Sequence, residues 1–403
     1  MAGIGLGVLY KYIYGYGDTL GFDADTIKLV THIKAHPSDY LRILFLSKSE
    51  YSQFITDYYP RFSGTYLLLK IFTFLYLLTN NSYWISSIYC SFFSFLGMWS
   101  LANILVKTFP KTEWEATIAF LSFPSVIFWS SGLMKESIVE GSLGFVLAIV
   151  LGKFRNHIQL KWFHFVLAPI LFYWIFKIKF YYFVVLIPVL VIGIFWSKTE
   201  HIKWQIKLAI ATAFLILTGF VFSKSNKLLN PDKVTKVMIM NHNDNYGFCF
   251  ERASGGNLNG KGIIMFQHFN NSIASFSYNL PNAWISSIFR PLPTEAGNAF
   301  QLIISFGNLF IFCLSLICIQ KLMLAKTNWK IEAIMAIAFA SFLGICMAFT
   351  SPNMGTLARY KVGYMPFVIY LVLTYSGVLK YISLKKYFPQ RLQIYFNKKR
   401  DSN

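Results

Sequence analysis

What most constrains this chain is a succession of apolar runs, each close to the thickness of a bilayer core, with short polar loops between them. The runs fall at 83–106, 116–131, 137–152, 162–176, 180–196, 206–222, 300–320, 331–350 and 362–379. A run at 63–79 is apolar too, but Lys70 sits in its middle, so it reads as an interfacial or re-entrant segment. The expected fold is an all-α polytopic membrane protein with about 9–11 transmembrane helices. An acidic first external loop is expected at 11–61 and one long external loop at 223–299. The expected organisation is an N-terminal transmembrane module at 1–222, the loop at 223–299, C-terminal transmembrane helices at 300–380 and a basic cytoplasmic tail at 381–403.

A net charge of +20 would suit a nucleic-acid partner if the basic residues shared one face. They lie instead in the loops between apolar runs, which excludes that class and makes them topology markers. Lys380, Lys385, Lys386, Arg391, Lys398, Lys399 and Arg400 place the C-terminus in the cytoplasm. Alternation from there puts 321–330, 197–207, 153–161 and 107–115 inside, and all four carry Lys or Arg. The loops at 351–361, 223–299, 177–179, 132–136 and 80–82 then lie outside, together with 11–61, so most of the 17 acids face out. The five cysteines have neither disulfide nor metal spacing. Met1–Tyr10 is apolar but too short to span and lacks the marks of a cleavable signal.

Carboxylates and cations gathered on one side of so apolar a chain mark a candidate site. Asp18 lies in Tyr14-Gly15-Tyr16-Gly17-Asp18-Thr19-Leu20-Gly21-Phe22, followed closely by Asp23 and Asp25. Glycines permit a tight backbone around a carboxylate, which suits a general base or an ordinary turn. Lys135 and Glu136 sit at the tip of an expected hairpin after Phe123-Pro124. Arg252 lies beside Glu251 in the long loop, whose His242 and His268 lack metal spacing. Arg290 is flanked by prolines at the membrane surface, where a guanidinium can grip phosphate bidentately or simply reach for water. Arg359 and Lys361 open the last run on the outer side, against the positive-inside trend, which favours an anionic ligand.

With these residues in place, the chain resembles the membrane-embedded glycosyltransferases of the C fold, among them protein mannosyltransferases, aminoarabinose transferases and oligosaccharyltransferases. The resemblance covers about 1–200 in arrangement. In that family an Asp of the first external loop is the catalytic carboxylate, and Gly17-Asp18-Thr19-Leu20-Gly21-Phe22 matches that motif. Phe123-Pro124 through Glu136 matches a second feature, a proline-aromatic helix end followed by a short external loop with an acid. The run at 63–79 then corresponds to the family's juxtamembrane helix. The family's first spanning helix is expected upstream of what Met1–Tyr10 provides. Lys135 stands where an unpaired carboxylate is usual.

The resemblance implies an inverting transfer of sugar from a polyprenyl-phosphate donor to a glycan, lipid or protein acceptor on the outer face of a bacterial inner membrane. Asp18 would serve the acceptor hydroxyl, Glu136 would line the site, and Arg290, Arg359 or Lys361 would hold the lipid phosphate. No cofactor is required, although Asp18, Asp23, Asp25 and Glu136 offer oxygen ligands for a divalent metal. Three other readings stay open: a polysaccharide polymerase or ligase led by Arg252, Arg290 and Arg359, a transporter or flippase, and a non-catalytic scaffold. A transporter would carry paired broken helices in an inverted repeat, and the sequence has none.

Overall fold

A backbone surrounded by lipid must satisfy its own polar groups, and the apolar runs of this chain do so as helices. The computed structural model describes residues 1–41, 64–199, 201–225, 231–254, 262–297, 299–324 and 330–380. Among these the only extended pairing is one isolated antiparallel bridge between Ile263 and Asn353. The chain is an all-α polytopic membrane protein.

The helices run in order from α1 (Ala2–Val8), which continues through a π-turn at Leu9–Tyr14, to α2 (Asp18–Ala35) and α3 (Thr65–Leu78). Then come α4 (Tyr83–Thr108), α5 (Glu113–Ala116), α6 (Pro124–Trp129), α7 (Lys135–Phe154), α8 (Trp162–Ile178) and α9 (Phe180–Lys198). They are followed by α10 (Trp204–Ser225), α11 (Pro231–Ser254), α12 (Ile273–Phe289), α13 (Ala299–Leu324), α14 (Ile331–Thr350), α15 (Met354–Tyr360) and α16 (Met365–Ser376). Among the described residues, five of these (α4, α7, α9, α13 and α14) are long and apolar enough to cross a membrane. Four shorter apolar helices accompany them: α3, α8, the first half of α10, and α16.

One expectation is corrected, and two long polar stretches prove to contain helices. The run at 116–131 is not one helix: α5 passes into a π-turn at Thr117–Ser122, the chain extends at Phe123, and Pro124 restarts it as α6. Proline lacks the donor a continuing helix needs and disfavours helical geometry in the residue before it. The long stretch at 223–299 carries two helices, α11 and α12; Ser272 caps the second, its hydroxyl accepting from Ser275 N at 3.2 Å. The polar stretch at 11–61 likewise begins with the 18-residue α2. The part from 42 onward, with Glu50 and Asp57, lies outside the described residues, as does the basic tail at 381–403.

The centre of the bundle is α7, with 72% of its apolar window buried, against 22% for α9 and 28% for α13. Such burial on every side requires a close neighbour, and α4 provides it through glycine. A Cβ on Gly97 would overlap the backbone of Gly141, and one on Gly144 would overlap the backbone of Gly97. Small residues at a helix crossing let backbones touch where apolar side chains give no driving force over lipid. Gly141→Leu is expected to lower the thermal stability and yield of detergent-purified protein sharply, since overpacking at a rigid contact costs about 1–3 kcal/mol. Gly5→Leu, at a position with open space around it, should leave both unchanged.

Contacts sort the loops into two ends, in the alternation read from the basic residues. At one end Arg155 pairs with Glu332, Lys330 donates to the Thr108 carbonyl and Lys321 to that of Ser376. The other end gathers residues 18, 136, 179 and 359.

Candidate functional site

The site begins with a backbone that only glycine allows. Gly17 has φ +140°, and the Tyr10 ring packs where its Cβ would be. Asp18 follows as the first residue of α2, where a carboxylate complements the helix dipole. The same turn is fixed to α4 by a 2.9 Å hydrogen bond between the Thr19 and Tyr83 hydroxyls. The Asp18 side chain is 49% exposed, and its Oδ2 accepts from Arg359 Nη1 at 2.9 Å across 341 residues of sequence.

Arg359 is set in turn by α15. The Asn353 side chain caps that helix, accepting from Gly355 N at 2.8 Å and Thr356 N at 3.3 Å. Burial works against the Arg359 charge, but Glu136, Tyr360 and Asp18 outweigh it and hold the guanidinium firmly protonated.

The hairpin tip supplies the other wall. Gly132, at φ +76°, donates to Ser91 Oγ at 2.9 Å, and the Ser137 hydroxyl donates back to the Gly132 and Met134 carbonyls at 2.9 and 2.8 Å. This closes the turn so that Lys135 and Glu136 open α7. Glu136 is 2% exposed; its Oε1 lies 3.0 Å from Lys179 Nζ and 3.4 Å from Arg359 Nε. One turn on, the fully buried Glu140 accepts from the Tyr182 hydroxyl at 3.3 Å, and its Oε2 has no partner among the described residues. Lys135 lies with its ammonium 5.4 Å from the Phe22 ring centre. Among the described residues no carboxylate is within ion-pairing distance of it.

The structure therefore brings Asp18, Lys135, Glu136 and Arg359 together from three distant parts of the sequence and adds Lys179, which the sequence reading passed over. Lys179 sits between α8 and α9, buried, its ammonium 5.0 Å from the Tyr360 ring centre and 5.4 Å from that of Tyr182. It carried the signal applied to Arg359 and Lys361, a cation in a loop assigned to the outer side. Three cations against the carboxylates of Asp18 and Glu136, with Lys135 unpaired, suit an anionic ligand at the mouth that Asp18 shares with water.

The other expected residues are engaged elsewhere. The Arg290 guanidinium pairs with Glu295, 2.6 Å from Nη2, and also meets Ser286 Oγ at 3.3 Å. Lys361 donates to the carbonyls of Ile288, at 3.1 Å, and Arg290. Lys361 ties the end of α12 to the chain beyond α15, Arg290 is held locally, and neither is open to a phosphate. Asp23 accepts from the Tyr76 hydroxyl of α3, and burial makes its carboxyl a weaker acid than usual despite that bond. Asp25 is buried, 4.0 Å from Lys28. The four carboxylates offered for a divalent metal thus diverge, and among the described residues no group of three or more His, Cys, Asp or Glu gathers in metal-binding geometry. The Arg252 side chain lies outside the described residues.

Burial, reinforced by Arg290, brings the Lys361 ammonium down to about 7. The unfolded chain keeps that proton to about pH 10.4, so between about pH 7 and 10 it binds more protons than the fold. Folding stability should therefore rise with pH across that window, by at most about 1.4 kcal/mol per pH unit from this group. Thermal unfolding of wild type and Lys361→Met from pH 6.5 to 10 checks this: the stability of wild type relative to the variant should rise with pH, with Glu295 and Arg290 the charges facing the group.

Comparison of the chain with protein-family models, curated proteins and solved structures finds no match.

Proposed function

We propose that this chain is an inverting glycosyltransferase that moves a sugar from a polyprenyl-phosphate donor to an acceptor hydroxyl at the membrane surface. The observation that carries the reading is the pairing of a half-exposed Asp18 with Arg359, with the unpaired Lys135 in the same cluster. A general base and an anion clamp are the two things such a transfer needs. Large apolar side chains exposed on α8 and α13, among them Phe165, Ile303 and Phe306, give the lipid tail an apolar surface.

In the proposed step the acceptor oxygen attacks the anomeric carbon from the face opposite the phosphate. A new C–O bond forms as the bond to the phosphate oxygen breaks, and Asp18 takes the hydroxyl proton. Negative charge grows on the departing lipid phosphate, where Arg359 and Lys135 stabilise it. Glu136 and Lys179 act from behind, fixing the guanidinium. The protein belongs in a bacterial inner membrane, with Asp18 on the outer side and the basic tail in the cytoplasm.

The test is turnover by the full chain in liposomes loaded with polyprenyl-phosphate sugars and a cell-envelope acceptor fraction. Release of free polyprenyl phosphate that depends on acceptor supports the reading. Absence of release with every donor, or release only from polyprenyl-diphosphate oligosaccharides, overturns it in favour of a polymerase or ligase.

A further inference from the structure

Away from Asp18, a groove of about 500 Å³ lies between α11 and the segment 262–272, a volume typical of small-ligand sites. One wall is a helical stripe of Lys236, Ile239, Met240, Asn243 and Asp244, at i, i+3, i+4, i+7 and i+8, facing the same way. The other wall is Phe269, Asn270 and Asn271. The side chains of Lys236, Asn243, Asp244, Asn270 and Asn271 have no hydrogen-bond or ion-pair partner among the described residues. Five exposed polar side chains beside Ile239, Met240 and the Phe269 ring are not used by the fold and are free for a ligand.

The ring is held rigidly. Phe269 stacks on Phe349 at 5.4 Å with planes 6° apart and meets Phe276 edge-on at 5.2 Å. Behind it His242 is buried, its Nδ1 3.1 Å from the Phe349 carbonyl oxygen. The loop bearing the asparagines is pinned as well, by Asn270 N donating to Ser275 Oγ at 3.1 Å and Gln267 N to Asn279 Oδ1 at 3.0 Å.

We propose that this groove binds a saccharide unit of a glycan chain. A pyranose has one face of polarised C–H groups, which is attracted to the negative face of an aromatic ring. Its rim of vicinal hydroxyls needs paired donors and acceptors, which carboxamides provide on one planar group and which Asp and Lys complete. A purely apolar ligand would leave five polar groups desolvated, and a strongly anionic one would meet Asp244.

The groove is joined to the chemistry. Ile264 N donates to the Pro352 carbonyl at 2.8 Å and Met354 N to that of Gly262 at 2.9 Å, so the Phe269 segment is stitched to the cap of α15, the helix that carries Arg359. Calling the bound saccharide the acceptor rests on the glycosyl-transfer reading; saccharide binding itself does not.

The experiment uses the full chain in nanodiscs on an array of immobilised oligosaccharides of glucose, galactose, mannose, rhamnose and N-acetylglucosamine, alongside donor turnover. Wild type and Asp18→Asn should bind the same glycan equally. Asn243→Ala/Asp244→Ala, on the exposed face of α11, should bind it at least tenfold more weakly with unchanged thermal stability, and Phe269→Ala should bind it more weakly again. No binding anywhere on the array, or binding unaffected by the double substitution, overturns the groove. Glycan binding without donor turnover sinks the transferase reading and leaves the groove standing.

Discussion

Asp18→Asn should lower the turnover of polyprenyl-phosphate sugar by about 10²–10⁴-fold, the range a positioned general base supplies, while leaving the protein folded. The contrast between the two readouts is what decides the role. Asparagine keeps the size and the helix-start preference of aspartate, so the backbone at Gly17 is undisturbed. What is lost is one ion pair to Arg359, and because the Asp18 side chain is 49% exposed its worth to stability is at most about 1 kcal/mol. Stability should hence fall slightly and turnover by orders of magnitude, with donor KM little changed because Arg359 and Lys135 remain. A strain carrying Asp18→Asn at wild-type protein level should accumulate lipid-phosphate sugar as the deletion strain does. If turnover survives, Asp18 is a helix-start residue and the base must be sought elsewhere.

The sequence read well where hydrophobicity decides the outcome and poorly where side chains choose among partners. The apolar runs became helices, and the basic loops sorted together at one end, because a lipid-facing backbone has few alternatives. Pro124 broke one expected span because a proline's effect depends on whether the chain is allowed to bend there. The 223–299 stretch concealed α11 and α12 because their polar residues, such as Asn243 and Asp244, dilute the helical pattern. Among the site residues, Asp18 was legible from the glycines around it, Lys135 and Glu136 from their place at a hairpin tip, and Arg359 as a cation in the wrong place for topology. Lys361 carried the same signal as Arg359, and Arg290 was marked by its prolines, yet they serve two carbonyls and Glu295. Charge identity is written in the sequence, whereas which counter-charge folding delivers depends on helix packing that spans hundreds of residues.

Glu136 shows how far such packing reaches, and it carries the second large effect. Its carboxylate is 2% exposed and serves Lys179 at 3.0 Å and Arg359 at 3.4 Å. Removing one partner of a buried ion pair leaves an uncompensated charge and typically costs about 3–5 kcal/mol. Glu136→Gln should therefore destabilise the detergent-purified protein severely, as read by thermal unfolding and by the fraction that elutes as folded monodisperse protein. Glu136→Gln/Lys179→Met removes the stranded ammonium and should recover a large part of that loss, a non-additivity expected only of groups in contact. The recovered protein then separates two roles. If Glu136 only positions Arg359, the double variant turns over donor with a raised KM, because the guanidinium keeps Asp18 but loses its second anchor. If Glu136 takes part in proton transfer, kcat collapses as in Asp18→Asn while KM holds. The first outcome is expected, since a carboxylate turned away from water toward two cations is poorly placed to meet a hydroxyl and well placed to aim the group that meets the phosphate.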